Sequence, residues 1–255
     1  MRRTAILLAV VLSGATLLAA CGKGGSASTA SHSPAAAAFP HTTTTRGSPT
    51  RAQALAFAHA VNLTAADVPG FAPSPKQHHE SAGERRLEQE LRTCIGSRTA
   101  GGSRGAVAEA GSPDFGLHRG ILDLTVSSEV SVAQSAAQAA ATLAAIRSAH
   151  VRACVSDYLG RLLKSQQYAG ASVTGVSIAS GTPPAPGTTG GFGWRVTARL
   201  AVRGLHVAFY LDILGFVYGP AQVTLSSSGA IRPFPASAQE ELFSTLLTRA
   251  RAHSL

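Results

Sequence analysis

The clearest hydrophobic pattern in this sequence is a strict apolar–polar alternation in two segments on either side of Arg203-Gly204. The apolar positions start at Trp194, recur at every second residue, and end at Ile213 in the second segment. A period of two is typical of β-strands that bury one face. A two-residue turn would place Trp194 opposite Ile213 and Arg195 opposite Asp212. Every apolar residue then faces an apolar partner, and a slip of one residue would destroy this match, so the pattern predicts a hairpin of this register.

The remaining segments divide into helical and extended periods. We predict helices at residues 51–61, in the segment that carries Cys94, and at 131–148, 149–164 and 236–250. The helix at 131–148 begins at Ser131-Val132-Ala133-Gln134, which has the form of a capping box. Further strands are predicted at 120–130, 172–179 and 221–227, and a loop at 96–111. Helices come early and last, and antiparallel strands come late. This order favours an α+β fold, an antiparallel sheet with helices packed on one face.

A separate apolar run near the start of the chain, from Ala5 to Leu18, follows the basic residues Arg2 and Arg3. It is shorter than the about 20 residues that cross a bilayer, and it has the length of the apolar part of an export signal. The run ends in Leu18-Ala19-Ala20-Cys21, which resembles the bacterial lipobox. We therefore predict a lipoprotein signal peptide at residues 1–20 and acylation of Cys21, which would anchor the chain to the outer side of the cell membrane. An ordinary signal peptide with a chance cysteine is the alternative.

Residues 21–49 consist mostly of Gly, Ser, Thr, Ala and Pro. A segment with so few large apolar side chains cannot offset the entropy lost on ordering, so we predict a flexible tether. A coil of this length spans roughly 30 Å. The threonines at 42–45 are interpreted as part of this linker, with O-glycosylation as the alternative. Residues 50–255 are numerous enough to form one domain with a sizeable core.

The formal net charge is +9, and removal of Arg2 and Arg3 with the signal would leave +7. Only three of the basic residues are lysines, and this skew, together with abundant alanine and glycine, suggests that a GC-rich genome accounts for part of the basicity. Nucleic acid is a poor partner for a chain outside the cell. Anionic lipid, a phosphate-bearing cell-wall polymer or an acidic envelope protein would fit a basic surface better.

Two cysteines remain if Cys21 is acylated, Cys94 and Cys154. Each lies on an apolar helical stripe, so both should face the core. An even number of cysteines outside the cell favours a disulfide between them. Such a bridge would close a loop of about 60 residues and stabilise the fold by on the order of 4 kcal/mol if chain entropy dominates. Two buried free thiols are the alternative, and we expect neither a metal site nor a redox pair here.

The polar face of the late hairpin is the first candidate site. Its candidate residues are Arg195, Arg199, Arg203, His206 and Tyr210. The arginines recur at every fourth position of one strand, and their forked hydrogen-bond donors could hold a phosphate or a carboxylate beside Tyr210. The alternative is a solvated sheet face, on which Arg195 and Asp212 form a surface ion pair worth under about 1 kcal/mol.

Three further features carry reactive side chains without a recognisable site. The segment His78-His79-Glu80 could offer metal ligands, but adjacent histidines point apart on a strand, so we expect a surface loop. No Gly-x-Ser-x-Gly elbow and no marked pair of carboxylates occurs, and we expect neither an enzyme nor a bound cofactor. The aromatic segment at 216–220 is expected to pack against the last helix, with the lip of a pocket as the alternative.

Several of these features resemble one group of proteins. They are the lipobox, the low-complexity tether, the "DVPGF" turn at 67–71, a strand ending in "SSEV", the two cysteine-bearing helices and the late hairpins. In this combination the chain resembles actinobacterial secreted lipoproteins related to the extracellular sensor domains of mycobacterial serine/threonine kinases, and more loosely the PsbP-like fold. Those domains carry two disulfides, whereas this chain has cysteines for one. The resemblance covers about residues 50–255 and implies an envelope sensor or binding module, with no ligand or site residue carried over.

Our first hypothesis is therefore a lipid-anchored, extracytoplasmic module that binds a ligand in a cleft between the sheet and the helices. It predicts a concave, partly apolar pocket with arginines at its mouth. The second hypothesis is an envelope assembly or docking protein without a small-molecule ligand, which predicts a flat, exposed basic patch. The third is an unrecognised hydrolase, which predicts a buried polar cluster with a perturbed pKa.

Overall fold

Five α-helices and eight strands follow one another in the part of the chain that the structure, a computed structural model, describes: residues 48–74, 81–96, 106–120, 122–165, 171–202 and 205–255. The helices are α1 (Arg51–Val61), α2 (Ala82–Cys94), α3 (Ala136–Arg147), α4 (Ala149–Ser165) and α5 (Ala236–Ala252). The strands are β1 (Ala72–Ser74), β2 (Ala106–Gly111), β3 (Asp114–Arg119), β4 (Leu122–Ala133), β5 (Ala171–Gly181), β6 (Gly190–Val202), β7 (Leu205–Tyr218) and β8 (Ala221–Ala230).

All strands belong to one antiparallel sheet. Its order is β1-β3-β4-β8-β7-β6-β5, and β2 pairs with β4 beside β3. Neighbours along the chain are mostly neighbours in the sheet, as short connections favour. The predicted α+β class and the antiparallel sheet are thereby confirmed.

The register of the late hairpin is the one that the alternation predicts. Trp194 lies opposite Ile213, and Arg195 lies opposite Asp212. Pairing continues past the predicted segment, as far as Gly190 opposite Val217. The local pattern was sufficient here because only one register buries every apolar side chain of both strands.

The helices pack on both faces of the sheet, although the sequence led us to expect one covered face. Phe209, Leu211 and Ile213 of β7 belong to a core with α2, α3 and α4. The side chain of Phe216 points to the opposite face of the same strand and belongs to a second core with α1 and α5. The sequence carries a signal for this arrangement, since residues 213–217 are an unbroken run of apolar residues and glycine, which is typical of a strand buried on both faces.

The predicted capping box at Ser131 does not start a helix. Strand β4 continues to Ala133, because Val130 and Val132 are fully buried and pair with β8. The helix α3 begins one turn later, where the side chain of Ser135 accepts a hydrogen bond from the backbone N–H of Gln138 at 3.2 Å. Burial of the two valines thus outweighs the local capping preference.

The predicted loop at 96–111 is also partly wrong, because β2 occupies its last six residues. Asn62, at the end of α1, donates from Nδ2 to the carbonyl oxygen of Ala110 at 2.8 Å. Ala108 is buried beneath α1. Strands β1 and β3 were not predicted either, although Phe115 of β3 is one of the most deeply buried side chains. Short strands with glycine and polar residues lack a recognisable period.

The ends of the fold follow the predicted helices. Helix α1 has the predicted bounds, and α5 buries the predicted Leu242, Phe243, Leu246 and Leu247. A disulfide joins Cys94 of α2 to Cys154 of α4, with 5.8 Å between the Cα atoms, as predicted. Among the helices described, none combines the length and the apolar character that a bilayer crossing requires.

Candidate functional site

A concave pocket of about 300 Å³ opens where the turn between α3 and α4 meets the end of β5 and the start of β6. Its floor is apolar, and its rim carries arginines and hydroxyl groups. The main lining residues are Ile146, Arg147, Arg152, Ser180, Phe192 and Trp194. Pockets for small ligands begin at about this volume. The pocket has the form that the binding hypothesis predicts, concave and partly apolar with arginines at its mouth.

The floor comes from the end of α3 and from the alternation of β6. Phe192 and Trp194 have the same parity on β6 and point towards α3 and α4, and each is at most 5% exposed. Ile146 of α3 is fully buried beside them. The same period of two that predicts the strand therefore places two aromatic rings beneath the pocket.

Arg147, the last residue of α3, forms one side of the rim. It donates from Nε and Nη2 to the carbonyl oxygen of Gly191, with N···O distances of 2.9 and 2.5 Å. Gly190 adopts a φ of +149°, and a Cβ at this position would lie 2.7 Å from Nη2 of Arg147. Only glycine permits both this backbone conformation and so close an approach. The pair Gly190-Gly191 thus holds the guanidinium at the pocket.

Arg152, in the first turn of α4, is the second arginine that lines the pocket. The turn is positioned by Ser148, whose Oγ accepts a hydrogen bond from the N–H of Val151 at 3.1 Å. Arg152 is partly buried and donates from Nη1 to Oγ of Ser180 at 2.6 Å. In the described part of the chain, neither Arg152 nor Arg147 lies within salt-bridge distance of a carboxylate.

The two guanidinium groups therefore carry positive charge that described carboxylates do not neutralise directly. Their hydrogen-bond partners are a backbone carbonyl and a serine hydroxyl, both neutral. Planar, forked N–H donors match the geometry of phosphate and carboxylate oxygens. The arrangement can bind an anionic group at the rim while an apolar or ring-shaped part of a ligand lies over the aromatic floor.

A second depression, of about 640 Å³, lies between α4 and β5. Its charged residues are Asp157, Arg161 and Lys164. Arg161 contacts Glu90 at 2.5 Å and Asp157 at 3.6 Å. Hydrogen bonds from Arg86 and Arg161 lower the pKa of Glu90. Its charges are mixed and largely paired, so this depression is a weaker candidate for anion binding.

The predicted anion site on the late hairpin lies on the other face of the sheet. Arg195 donates from Nε and Nη2 to the two carboxylate oxygens of Asp212, at 2.6 and 2.8 Å. Hydrogen bonding with Asp212 raises the pKa of Arg195, although partial burial opposes the shift. The ion pair that the sequence suggested is therefore present, with the Arg195 side chain 48% exposed and Asp212 buried. The guanidinium of Arg195 is already neutralised by a buried carboxylate.

Two described members of that row lie apart from Arg195 in the sheet. Arg199 is four residues from Arg195, about 13 Å along an extended strand. Tyr210 is half-buried on β7 opposite Thr197, and Arg203 lies outside the described residues. Anion binding at Arg199, Arg203 and Tyr210 stays a prediction.

Other predicted features fall partly outside the described residues. The signal peptide, Cys21 and nearly all of the tether lie there, and so do His78, His79 and Glu80. The aromatic segment at 216–220 is described, and Phe216 packs edge-to-face on Phe243 of α5 with 5.4 Å between the ring centroids. This segment packs against the last helix, as expected.

One cluster was missed by the sequence prediction. Cys94, His150 and Cys154 bring three potential metal-ligating atoms within 4.8 Å of one another. His150 Nε2 lies 2.8 Å from the carbonyl oxygen of Cys94 and 3.8 Å from Sγ of Cys154. The available signal was the spacing of His150, four residues before Cys154, which places the two side chains on the same face of a helix.

No family model matches this chain, and no curated protein does. A solved structure that matches is the extracellular domain of PknH from Mycobacterium tuberculosis. The two are 11% identical, the match covers 77% of this chain and 95% of the other, and the TM-score is 0.45.

Proposed function

We propose that this chain is an extracytoplasmic binding module that holds a small phosphate-bearing group in the pocket between the α3–α4 turn and the sheet. The observation that carries the proposal is the pair Arg147 and Arg152 at the rim, whose described partners are neutral. Two fixed guanidinium groups suit a phosphate, which carries up to two negative charges and several acceptor oxygens, better than a single carboxylate.

The floor and the volume narrow the class of ligand. Phe192 and Trp194 offer an aromatic surface to a polyol or glycerol portion next to the phosphate. A cavity of about 300 Å³ accepts a headgroup or one polymer unit, but not an acyl chain as well. The ligand class is therefore a phosphorylated polyol, which a lipid headgroup and a cell-wall polymer both contain.

The proposed location rests on the first residues of the chain. An acylated Cys21 with a tether of roughly 30 Å would keep the pocket close to the membrane surface, where anionic headgroups are concentrated. In this proposal the lipid anchor determines where the chain is located, and the pocket binds the phosphate-bearing ligand. Intact-mass measurement of the chain isolated from membranes tests the anchor: the mature chain should begin at Cys21 and carry acyl mass, and Cys21→Ser should abolish both.

Calorimetric titration of the chain with glycerol phosphate and with inorganic phosphate tests the pocket. Arg152→Gln should weaken binding at least tenfold, about 1.4 kcal/mol, and Arg152→Lys should retain part of the affinity. Arg199→Gln, on the opposite face of the sheet, is the matched control and should leave the affinity within twofold. Vesicles of phosphatidylglycerol and phosphatidylcholine then distinguish a lipid headgroup from a soluble phosphate, because only the former would produce Arg152-dependent vesicle binding.

The opposite pattern, in which Arg199→Gln weakens phosphate binding and Arg152→Gln does not, would move the site to the hairpin face and overturn the proposal. Absence of binding to every phosphate probe would favour the docking hypothesis. That hypothesis has less support than the sequence suggested, because Asp212 neutralises Arg195 on the basic face.

A further inference from the structure

We propose that Cys94, Cys154 and His150 form a three-ligand site for a zinc-class cation once the disulfide is reduced. The site is independent of the phosphate pocket and lies where the end of α2 meets the first turns of α4. Thiolate and imidazole are the ligands that zinc prefers in proteins. No fourth His, Cys, Asp or Glu joins this cluster in the described part of the chain, so the fourth position would be open to water.

The distances fit a tetrahedral centre after a small adjustment. With Zn–S near 2.3 Å and Zn–N near 2.0 Å, ligand sulfur and nitrogen atoms lie about 3.6 Å apart, and two sulfurs about 3.8 Å apart. His150 Nε2 is already 3.8 Å from Sγ of Cys154. The sulfurs of Cys94 and Cys154 must separate to that distance after reduction. Side-chain rotation from Cα atoms 5.8 Å apart accommodates this change.

The helices that carry the ligands are held together without the disulfide. Leu91 and Ile95, on either side of Cys94, pack in the same core as Val151 and Val155, on either side of Cys154. All four side chains are at most 8% exposed. Reduction therefore releases the sulfurs while the surrounding apolar contacts keep α2 and α4 side by side.

The two sulfurs differ in their access to solvent. Cys94 and His150 are exposed, whereas Cys154 is buried, at 4% exposed. A thiolate of an external dithiol would attack Sγ of Cys94 and break the bond to Cys154. Cys154 would leave as a thiolate, with the His150 Nε2 atom 3.8 Å from its sulfur. The second thiol of the reductant then attacks the mixed disulfide and releases Cys94, so that two electrons pass to the protein and the reductant becomes a disulfide.

Metal binding would follow reduction. The cation displaces the remaining thiol protons, which are released to solvent, and both sulfurs bind as thiolates. His150 Nε2 gives up its hydrogen bond to the carbonyl oxygen of Cys94 and turns its lone pair to the cation. In the oxidised chain only the imidazole of His150 can bind a metal ion, so the disulfide would prevent the site from forming.

Cobalt(II) titration is the test, because cobalt in a tetrahedral thiolate site has characteristic visible and near-ultraviolet bands. The full chain carries Cys21→Ser, so that only Cys94 and Cys154 supply thiols. After reduction with a phosphine, we expect one cobalt per chain, displaced by zinc, and no bands in the oxidised chain. His150→Gln should weaken binding at least tenfold, whereas His118→Gln, a distant exposed histidine, should have no effect.

A reduced chain that develops no cobalt bands, or a His150→Gln variant that binds as tightly as its parent, would overturn the proposal. Circular dichroism monitors whether the reduced chain stays folded. If it unfolds, zinc should restore the fold and raise the melting temperature in the parent but not in His150→Gln. Failure of zinc to do so would equally overturn the site. None of these readouts depends on phosphate binding.

Discussion

Arg249 of the last helix donates to both carboxylate oxygens of Asp67, which lies 182 residues earlier in the chain. The N···O distances are 2.9 Å from Nη1 and 2.6 Å from Nη2, and Nη1 also donates to the carbonyl oxygen of Asn62 at 2.9 Å. Asp67 in turn accepts a hydrogen bond from the N–H of Thr64 at 2.7 Å. One side chain of α5 thus connects the end of α1 with the turn that follows it.

This pair should make stability depend on acidity. Partial burial of the Asp67 carboxylate opposes ionisation, but hydrogen bonds from Arg249 and Thr64 outweigh it and lower the pKa of Asp67 from its ordinary value. The unfolded chain then binds a proton more readily than the folded chain. The stabilisation is therefore present at neutral pH and is lost as the pH falls through the lowered folded-state pKa.

Asp67→Asn should accordingly lower the free energy of unfolding by about 1–2 kcal/mol at pH 7, and the difference from the parent should shrink as the pH falls through the lowered pKa of Asp67. Urea denaturation over a series of pH values from neutral to acidic measures this. Asp157→Asn is the control, because Asp157 is 70% exposed and its contact with Arg161 is 3.6 Å long. A loss at Asp67 that does not change with pH would contradict the assignment.

The second prediction concerns Arg195 and Asp212. Because Asp212 is buried, Arg195→Ala leaves a carboxylate without its main partner and should cost about 2 kcal/mol. Arg199→Ala, on the exposed part of the same strand, should cost under about 0.5 kcal/mol. A double-mutant cycle with Asp212→Asn should show strong coupling to Arg195. Equal losses for the two arginine variants would mean that Asp212 is accessible to water.

The third prediction compares two glycines. A Cβ on Gly215 of β7 would overlap the ring of Phe192 and lie 2.9 Å from the carbonyl oxygen of Val223, so Gly215→Ala should destabilise the fold by about 2–3 kcal/mol. Gly160 lies inside α4 with nothing within 4 Å of its Cβ position, so Gly160→Ala should stabilise by about 0.5–1 kcal/mol. Thermal unfolding should move the two variants in opposite directions. A tolerated Gly215→Ala would show that Phe192 is free to move.

The fourth prediction concerns Ile231, which has a φ of +70°. This conformation is strained for a β-branched side chain, and 44% of Ile231 is exposed, so little burial compensates for the strain. Ile231→Gly should therefore raise the free energy of unfolding by about 1 kcal/mol, while the hydrogen bond from its N–H to the carbonyl oxygen of Ala208 is kept. Leu205→Gly, at an even more exposed position within a strand, should bring no gain. A destabilised Ile231→Gly would mean that the Ile231 side chain contributes more by packing than its exposure suggests.

The sequence predicted best where local periodicity and partner matching agreed. The hairpin register followed from matching apolar residues across one turn, and the disulfide followed from two cysteines on core-facing stripes. It predicted poorly where burial overrode a local signal. Ser131 has the form of a helix cap, yet β4 continues through Val132. Val132 is fully buried and pairs with both β2 and β8.

The candidate sites show the same division. The arginine row and the pairing of Arg195 with Asp212 were visible because the hairpin residues are close in sequence, but only the structure shows that Asp212 is buried. A cleft between the sheet and the helices was expected, but the residues that line the pocket were not predicted. Its contacts join Arg147 to Gly191, 44 residues apart, and Arg152 to Ser180, 28 residues apart. No periodic pattern relates such positions.

The sequence by itself determined the helices α1, α4 and α5, the strands β6 and β7 with their register, and the cysteine pairing. Each depends on periodicity or spacing, which can be read from the sequence without knowing how distant segments pack. Only the tertiary structure decided that helices cover both faces of the sheet, which arginines keep neutral partners, and that His150 lies against the disulfide. An apolar face indicates that something must cover it, but which segment does so depends on how all the elements pack together.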